Sequence, residues 1–450
     1  MGRLCVGAYF GRTPTAGRIS WVRNRVSRAQ AAPPRPTADS QRLSRATRRI
    51  AAPLDGRRLH LDAIVGFGFL ATGVLIGALP RFLRSEFGAS RSLTGVASTG
   101  YFICALLMRP VIGPRLDRFG RRRFLLFSVC GLAMSSLAFL VVNTVWMVFT
   151  LRFLQGAFGA GFYTAALTST TDIAAPESRA AAVGRLSVMV YLGFIFGPML
   201  VDVILEASTF RACWAAAIGL FTVSALLAYS FPETRPDHAA QLASASAPTG
   251  SNPPSQLRMI RLVFWPGLAS FAVAVTFGTV SIFSPDYAAR VGIARPGTLV
   301  GAYAVAVLVS RIVASRLTDR RGSMFVLLPS CALAFGGLCV LTFADHPLAS
   351  YLGIGIAGLG AGAAFPALSL LVVNLGSSAE RGAILAAFLM FSDIGQASAG
   401  PVVGALSDAL SPRMVFGTPA ILMAGSFFLL ASIRRTANNT GNPDFLEPGV

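Results

Sequence analysis

Twelve stretches of about twenty mostly apolar residues recur along the 450-residue chain, each long enough to cross roughly 30 Å of hydrocarbon as a helix. They fall at 62–80, 93–112, 124–142, 144–167, 183–205, 212–231, 262–284, 298–315, 324–344, 349–373, 382–406 and 414–433. The runs are too long and alternate too weakly for outer-membrane strands, where turns recur about every ten residues. With 54% hydrophobic residues, 13% charged residues and a mean hydropathy of +0.63, the chain also lies outside the range of soluble domains. The expected fold class is an all-α polytopic membrane protein with twelve transmembrane helices.

Orientation follows from the arginines, because short basic loops stay on the cytoplasmic side. No lysine is present. With both termini inside, 13 arginines fall in the segment 1–58 and 16 in the other cytoplasmic segments, against 7 in external loops (Arg81, Arg84, Arg91, Arg211, Arg290, Arg295, Arg413). Arg109, Arg152 and Arg311 lie within helices. The net charge of +20 is thus accounted for by topology and by the basic tail, and no nucleic-acid partner is expected. Residues 1–58 read as a disordered Arg-rich cytoplasmic tail. A leader ahead of the true start and a transit peptide are the alternatives. The absence of lysine points to a GC-rich bacterial genome, which places the chain in the plasma membrane, the bacterial inner membrane.

An internal repeat divides the spans. Shifting the sequence by 202 residues brings Tyr101 onto Tyr303, Arg109 onto Arg311, Asp117 onto Asp319, Arg118 onto Arg320, Gly120 onto Gly322, Arg179 onto Arg381 and Gly193 onto Gly395. The expected organisation is an N-terminal six-helix bundle at 59–231, a cytoplasmic Ala/Ser/Pro-rich linker at 232–258, a C-terminal bundle at 259–433 and a tail at 434–450. Parallel repeats of this kind give two pseudo-symmetric halves with a substrate site between them.

The charged loop "GPRLDRFGRRR" (113–123), its partial copy "RLTDRRG" (316–322), "LRFLQGAFGAG" (151–161), "DIAAPESRAAAVG" (172–184) and "PET" (232–234) together resemble the motifs of the major facilitator superfamily. The resemblance spans about 60–433. It implies a gate on the cytoplasmic face built from Gly113, Asp117, Arg118, Gly120, Arg121 and Arg122, with Asp319, Arg320, Gly322, Arg179 and Arg381 as further members. Asp117 would engage a helix end of the opposite half in one of two poses. Topology alone is the competing explanation for the arginines, but it has little use for an acid.

Ionisable groups inside the membrane are costly and mark function. Arg152, with Gln155 beside it, and Asp393 are therefore the candidates for proton coupling or substrate binding, and Arg109 or Arg311 could pair with Asp393. Asp62, Asp172 and Asp286 sit near helix ends, where capping or solvated roles are expected. In "GRLSVMVYLGFIFGPMLVD", Gly184, Gly193, Gly197 and Pro198 keep the spacing of a motif that resembles the antiporter signature of drug:proton exporters, with Val201 and Asp202 replacing its terminal glycine pair. These four residues are the expected hinge, with plain small-residue packing as the alternative. The resemblance also implies that helices one, four, seven and ten line the cavity, through Phe69, Thr72, Gln155, Phe158, Tyr163, Thr276, Phe277, Ser281 and Phe365.

The function expected is secondary active transport of a small organic solute by alternating access, with proton-coupled efflux first. An uptake symporter and a transporter-like sensor or scaffold are the alternatives. The six cysteines and three histidines show no metal spacing, and no GxxxxGK[ST] nucleotide loop occurs. No enzyme activity, cofactor or metal is expected. The partners are solute, proton and lipid, and the chain is expected to be monomeric.

Overall fold

The computed structural model describes residues 56–175, 178–234, 256–373, 375 and 381–440. Most of the expected N-terminal tail and linker, and the last ten residues, lie outside them. The described residues form helices and no strand. These are α1 Gly56–Phe87, α2 Arg91–Phe119, α3 Arg121–Leu137, α4 Val145–Ile173, α5 Arg179–Ala207, α6 Phe210–Ser230, α7 Gln256–Val291, α8 Gly297–Arg321, α9 Ser323–Phe343 and α10 Pro347–Val373. The composite α11 runs over Arg381–Ser398, passes through a π turn at Ala399–Val403 and ends with Gly404–Ala409, and α12 is Met414–Thr440. Eleven described helices are long and apolar enough to span a membrane, while α11 is divided by its π turn. The spans overrun the sequence boundaries. Helix α7 begins at Gln256, inside the expected linker, and α1 begins at Gly56, inside the expected tail.

Local chemistry sets the breaks. Ser90 and Thr144 cap α2 and α4 by accepting from the backbone N–H groups of Leu93 and Met147, both at 3.2 Å. Gly120 and Gly322, repeat mates, take φ of 89° and 82° between consecutive helices, where only glycine is unstrained.

Each half has its own core. Trp214 is packed by Phe82 and Phe139 at 5.4 and 5.0 Å between ring centroids, and Tyr287 meets Phe416 at 4.8 Å in the second half. The helix neighbours repeat as well. Helix α1 packs on α5 and α6 as α7 packs on α11 and α12, and α2 and α3 pack on α4 as α8 and α9 pack on α10. Between the halves, α5 crosses α8 and α2 crosses α11.

A single-residue insertion explains the one departure from the repeat. Helix α5 reads Gly193-x3-Gly197-Pro198, whereas α11 reads Gly395-x4-Gly400-Pro401. The extra residue is absorbed as the π turn, beside a proline that cannot donate to the helix. The turn brings Gly400 backbone to backbone against Gly95 of α2, with no room for a Cβ on either. Gly297, the repeat mate of Gly95, meets the Pro198 backbone in the same way across the other seam.

Candidate functional site

The charged loop after α2 is an intra-bundle network on the face that the arginine bias assigns to the cytoplasm, here the inner face. Arg121, 5% exposed, is its hub. Its guanidinium reaches Asp117 one turn earlier at 3.1 Å and donates from Nε to Asp172 at 3.0 Å. The Glu233 carboxylate accepts from the backbone N–H groups of Arg121 and Arg122 at 2.8 and 3.2 Å, capping α3 against its dipole. Arg122 bonds the Tyr229 carbonyl and lies over that ring. Glu233, of the PET sequence, and Asp172 are thus structural partners of the loop. Asp117, 64% exposed, points away from the core, and its ion-pair partner is on its own bundle. Gly113 has open space around it and Arg179 is exposed at the start of α5. The side chains of Asp319, Arg320 and Arg381 lie outside the described residues, while Gly322 makes the turn described above.

The opposite, outer face is where ion pairs join the halves. Asp286, at the end of α7, accepts from Arg84 Nη2 of α1 at 2.9 Å and from Arg91 of α2. Arg84 and Asp286 are themselves 202 residues apart, so this pair joins equivalent positions across the pseudo-axis. Asp408, past the α11 turn, accepts from the hydroxyl and backbone N–H of Ser92 at 2.6 and 2.8 Å. Partial burial works against its charge, but those bonds and Arg91 outweigh it and hold the carboxyl below its usual value. Arg295 and Glu206 add a solvent-facing bidentate pair at 2.7 and 2.9 Å, which raises the Arg295 guanidinium above its usual value. The sequence reading placed Asp286 in a capping or solvated role. It is instead a cross-bundle acceptor, which the tertiary approach of α7 to α1 and α2 creates.

Toward the inner ends of the α2 and α8 spans, the two seams carry repeat-related pairs. In the α2–α11 seam, Arg109 Nη2 donates to Asp393 Oδ1 at 2.7 Å and Nε closes on Oδ2. Arg109 is 47% exposed and Asp393 12%. In the α5–α8 seam, Arg311 stands over the Tyr191 ring at 4.9 Å and the Phe365 ring of α10 at 5.2 Å. Between the seams, aromatic rings bridge the halves. Phe69 meets Tyr163 at 6.0 Å and Phe194 at 5.8 Å, and Phe194 meets Phe277 of the second half at 5.5 Å.

Arg152 and Gln155 lie elsewhere. Arg152 is 4% exposed, donates to Gln155 Oε1 at 3.0 Å and lies over Tyr101 at 4.7 Å, and Gln155 donates on to Ser136 at 3.2 Å. Among the described residues no carboxylate pairs with Arg152. A small cavity beside it is lined by Ser98, Phe102 and Ser281 among others. Phe158, expected in the cavity wall, instead packs on Gly131 and Phe127 within its own bundle, because glycine at 131 leaves a socket for its ring. Gly193 and Gly197 seat α5 against the backbone of α1 at Phe69 and Gly73, and Pro198 faces Gly77 and Gly297. Gly184 has open space around it. The close packing of these small residues therefore lies within the first bundle and, at Pro198, across the α5–α8 seam.

Two pseudo-symmetric helical bundles, pinned together at one face around an aromatic and charged interior, make a secondary transporter. The chain belongs to the major facilitator superfamily, whose sequence profile matches residues 63–400. An MFS-type transporter of Pseudomonas aeruginosa is 24% identical over 390 residues, covering 85% of this chain and 95% of that protein. One from Burkholderia mallei is 23% identical over 380 residues, with 82% and 91% covered. Among solved structures, the nucleoside transporter NupG superposes with a TM-score of 0.69 at 14% identity, covering 84% of this chain and 99% of that one. The human organic anion transporter MFSD10 does so at 0.64 and 17%, covering 84% and 100%. The coverage means that the bundles described here are the whole of that fold.

Proposed function

We propose that the protein is a proton-coupled exporter of a small organic solute, in the plasma membrane with its inner face and both termini toward the cytoplasm, working as a monomer. The observation that carries the coupling is the Arg109–Asp393 pair, which ties α2 of one half to α11 of the other. A group placed there changes its charge at the point where the halves must separate. The charged group facing Asp393 is Arg109. Protonating Asp393 removes the attraction across the α2–α11 seam. Deprotonation restores it, so proton binding and seam opening are linked. Export is supported by the α5 spacing through Pro198, whose backbone lies in the other seam. In the opposite pose the inner face must close, and there Asp117, whose ion-pair partner among the described residues is Arg121 of its own half, supplies the gate acid.

The test is flux in proteoliposomes under an imposed pH gradient, with internal pH followed by a trapped dye across a panel of drug-like and sugar-like solutes. Asp393→Asn is expected to lose gradient-driven accumulation while retaining solute exchange at equal pH. Undiminished accumulation in that variant would remove Asp393 from coupling, and absence of solute and proton movement with folded protein would favour a sensor.

A further inference from the structure

The repeat that relates the halves makes their seam chemistry directly comparable. Arg109 and Arg311 are one repeat offset apart, and so are Tyr191 and Asp393, since both pairs differ by 202 residues. Each arginine faces the other's counterpart position across its own seam. In the α2–α11 seam, arginine meets aspartate and the charge is neutralised. In the α5–α8 seam, the same position offers a tyrosine ring, so the guanidinium is stabilised but its charge is not cancelled. Among the described residues no carboxylate pairs with Arg311. Its Nε is sequestered from solvent without a hydrogen-bond partner.

Resting on the transporter reading above, we propose that Arg311, gripped between Tyr191 and Phe365, is the binding site for the carboxylate of an amphipathic organic monoanion. Three observations specify that ligand class. The rings cover the faces of the guanidinium, and its N–H edge is the geometry that matches a carboxylate bidentately. Among the described residues of these two seams, Arg311 is the arginine whose charge no carboxylate offsets, because Asp393 pairs with Arg109, so one negative charge suffices. The neighbouring walls are Phe69, Phe194, Phe277 and the Tyr163 ring, which accept an apolar or aromatic body. An uncompensated arginine inside a membrane is costly, and a bound anion would relieve that cost at each cycle.

The inference is tested by binding without a gradient, on the full chain in phosphatidylcholine nanodiscs, so that no anionic headgroup competes. The probes are 2-naphthoate, the neutral 2-naphthamide and the cationic 2-naphthylmethylammonium, followed by naphthalene fluorescence anisotropy. The expected result is a naphthoate affinity at least tenfold above that of the other two. Tyr191→Asp should abolish the preference, because it recreates beside Arg311 the neutral pair already found at Arg109. Arg311→Gln should do the same, and it decides the matter if Tyr191→Asp fails to fold. Tyr191→Phe, which keeps the ring, should preserve it. Equal binding of naphthoate and naphthamide, no naphthoate binding, or a naphthoate affinity within threefold of the unmodified protein in Arg311→Gln would overturn the site. Gradient-driven flux without carboxylate preference would sink this inference alone. Carboxylate preference without any flux would instead sink the coupling reading.

Discussion

Replacing Asp286 by asparagine should open the outer face. The side chain holds two arginines of the other half, Arg84 at 2.9 Å and Arg91 through its second oxygen. A hydrogen bond to a charged group contributes on the order of 1.5–3 kcal/mol when shielded. The Arg91 contact, with side chains 23% and 12% exposed, belongs near the lower end of that range. Arg84 is 37% exposed, and solvent screening reduces its share to about 0.5 kcal/mol. Asparagine can still accept one bond, but it forfeits the charge, so the outward-closed pose loses about 2 kcal/mol. At 1.36 kcal/mol per factor of ten, the open population rises about 30-fold, and between about 10- and 100-fold allowing for the spread. Ser98 is 5% exposed and lines the small cavity beside Arg152 that also touches α7 at Ser281 and Ile282, which makes it the reporter position. In right-side-out vesicles, and with the six native cysteines replaced, a Ser98→Cys chain is labelled by a membrane-impermeant thiol reagent only when the outer face opens. Adding Asp286→Asn should raise the labelling rate by the factor above. A rate within twofold of the parent would show that this carboxylate does not hold the pose closed.

Other expectations follow from the same geometry. Gly95→Val drives a side chain into the Gly400 carbonyl, and overpacking on the order of 1–3 kcal/mol should raise Ser98→Cys labelling at least about fivefold, in the same direction as Asp286→Asn. Asp408 has a depressed folded-state value, so its contribution to the latch is complete above the unfolded carboxylate value of about 3.9 and is lost as pH falls through the folded one. The distance between spin labels at positions 86 and 294 should therefore stay constant from pH 8 to 5 and lengthen under stronger acid. Asp408→Asn should show the lengthened component already at pH 7. Asp117→Asn should leave expression intact, lower the initial rate of solute flux about tenfold and lower outer-face labelling, since losing the gate acid weakens the pose in which the inner face is closed and the outer face open. Undiminished flux would withdraw the gate role proposed for that acid.

The sequence reading and the structure agree where the signal is local or periodic. Apolar run length announces the spans, because every backbone amide in hydrocarbon must be satisfied within its own helix. The glycines at 120 and 322, which the sequence reading assigned to the gate, take positive φ at the turns, where a side chain would be strained. Asp393 and the arginines of the spans stand out because charge is scarce there. What the sequence reading missed has a common cause. Arg109 and Arg311 read alike along the chain, and the choice of Arg109 as partner to Asp393 depends on which helix of the other half lies opposite. Asp286 reads as an ordinary helix-end acid, and only the approach of helices far apart in sequence gives it, and likewise Asp408 and Glu233, their partners. Phe158 is one of 33 phenylalanines, and nothing in the sequence says that its ring fits against Gly131. The repeat offset did contain a usable clue, since it places Tyr191 in register with Asp393, but the clue acquires meaning only once α5 is seen to face α8.

The amino-acid sequence by itself determined that this is a helical membrane protein of two related halves, because hydrophobic length, charge asymmetry and internal repetition act on each segment separately. The tertiary structure decided which charges neutralise one another, which face is latched and which arginine, among the described residues, has no carboxylate partner. Those outcomes depend on distances of a few ångströms between helices that the chain places hundreds of residues apart, and electrostatic pairing falls off too steeply with separation to be read before the helices are packed.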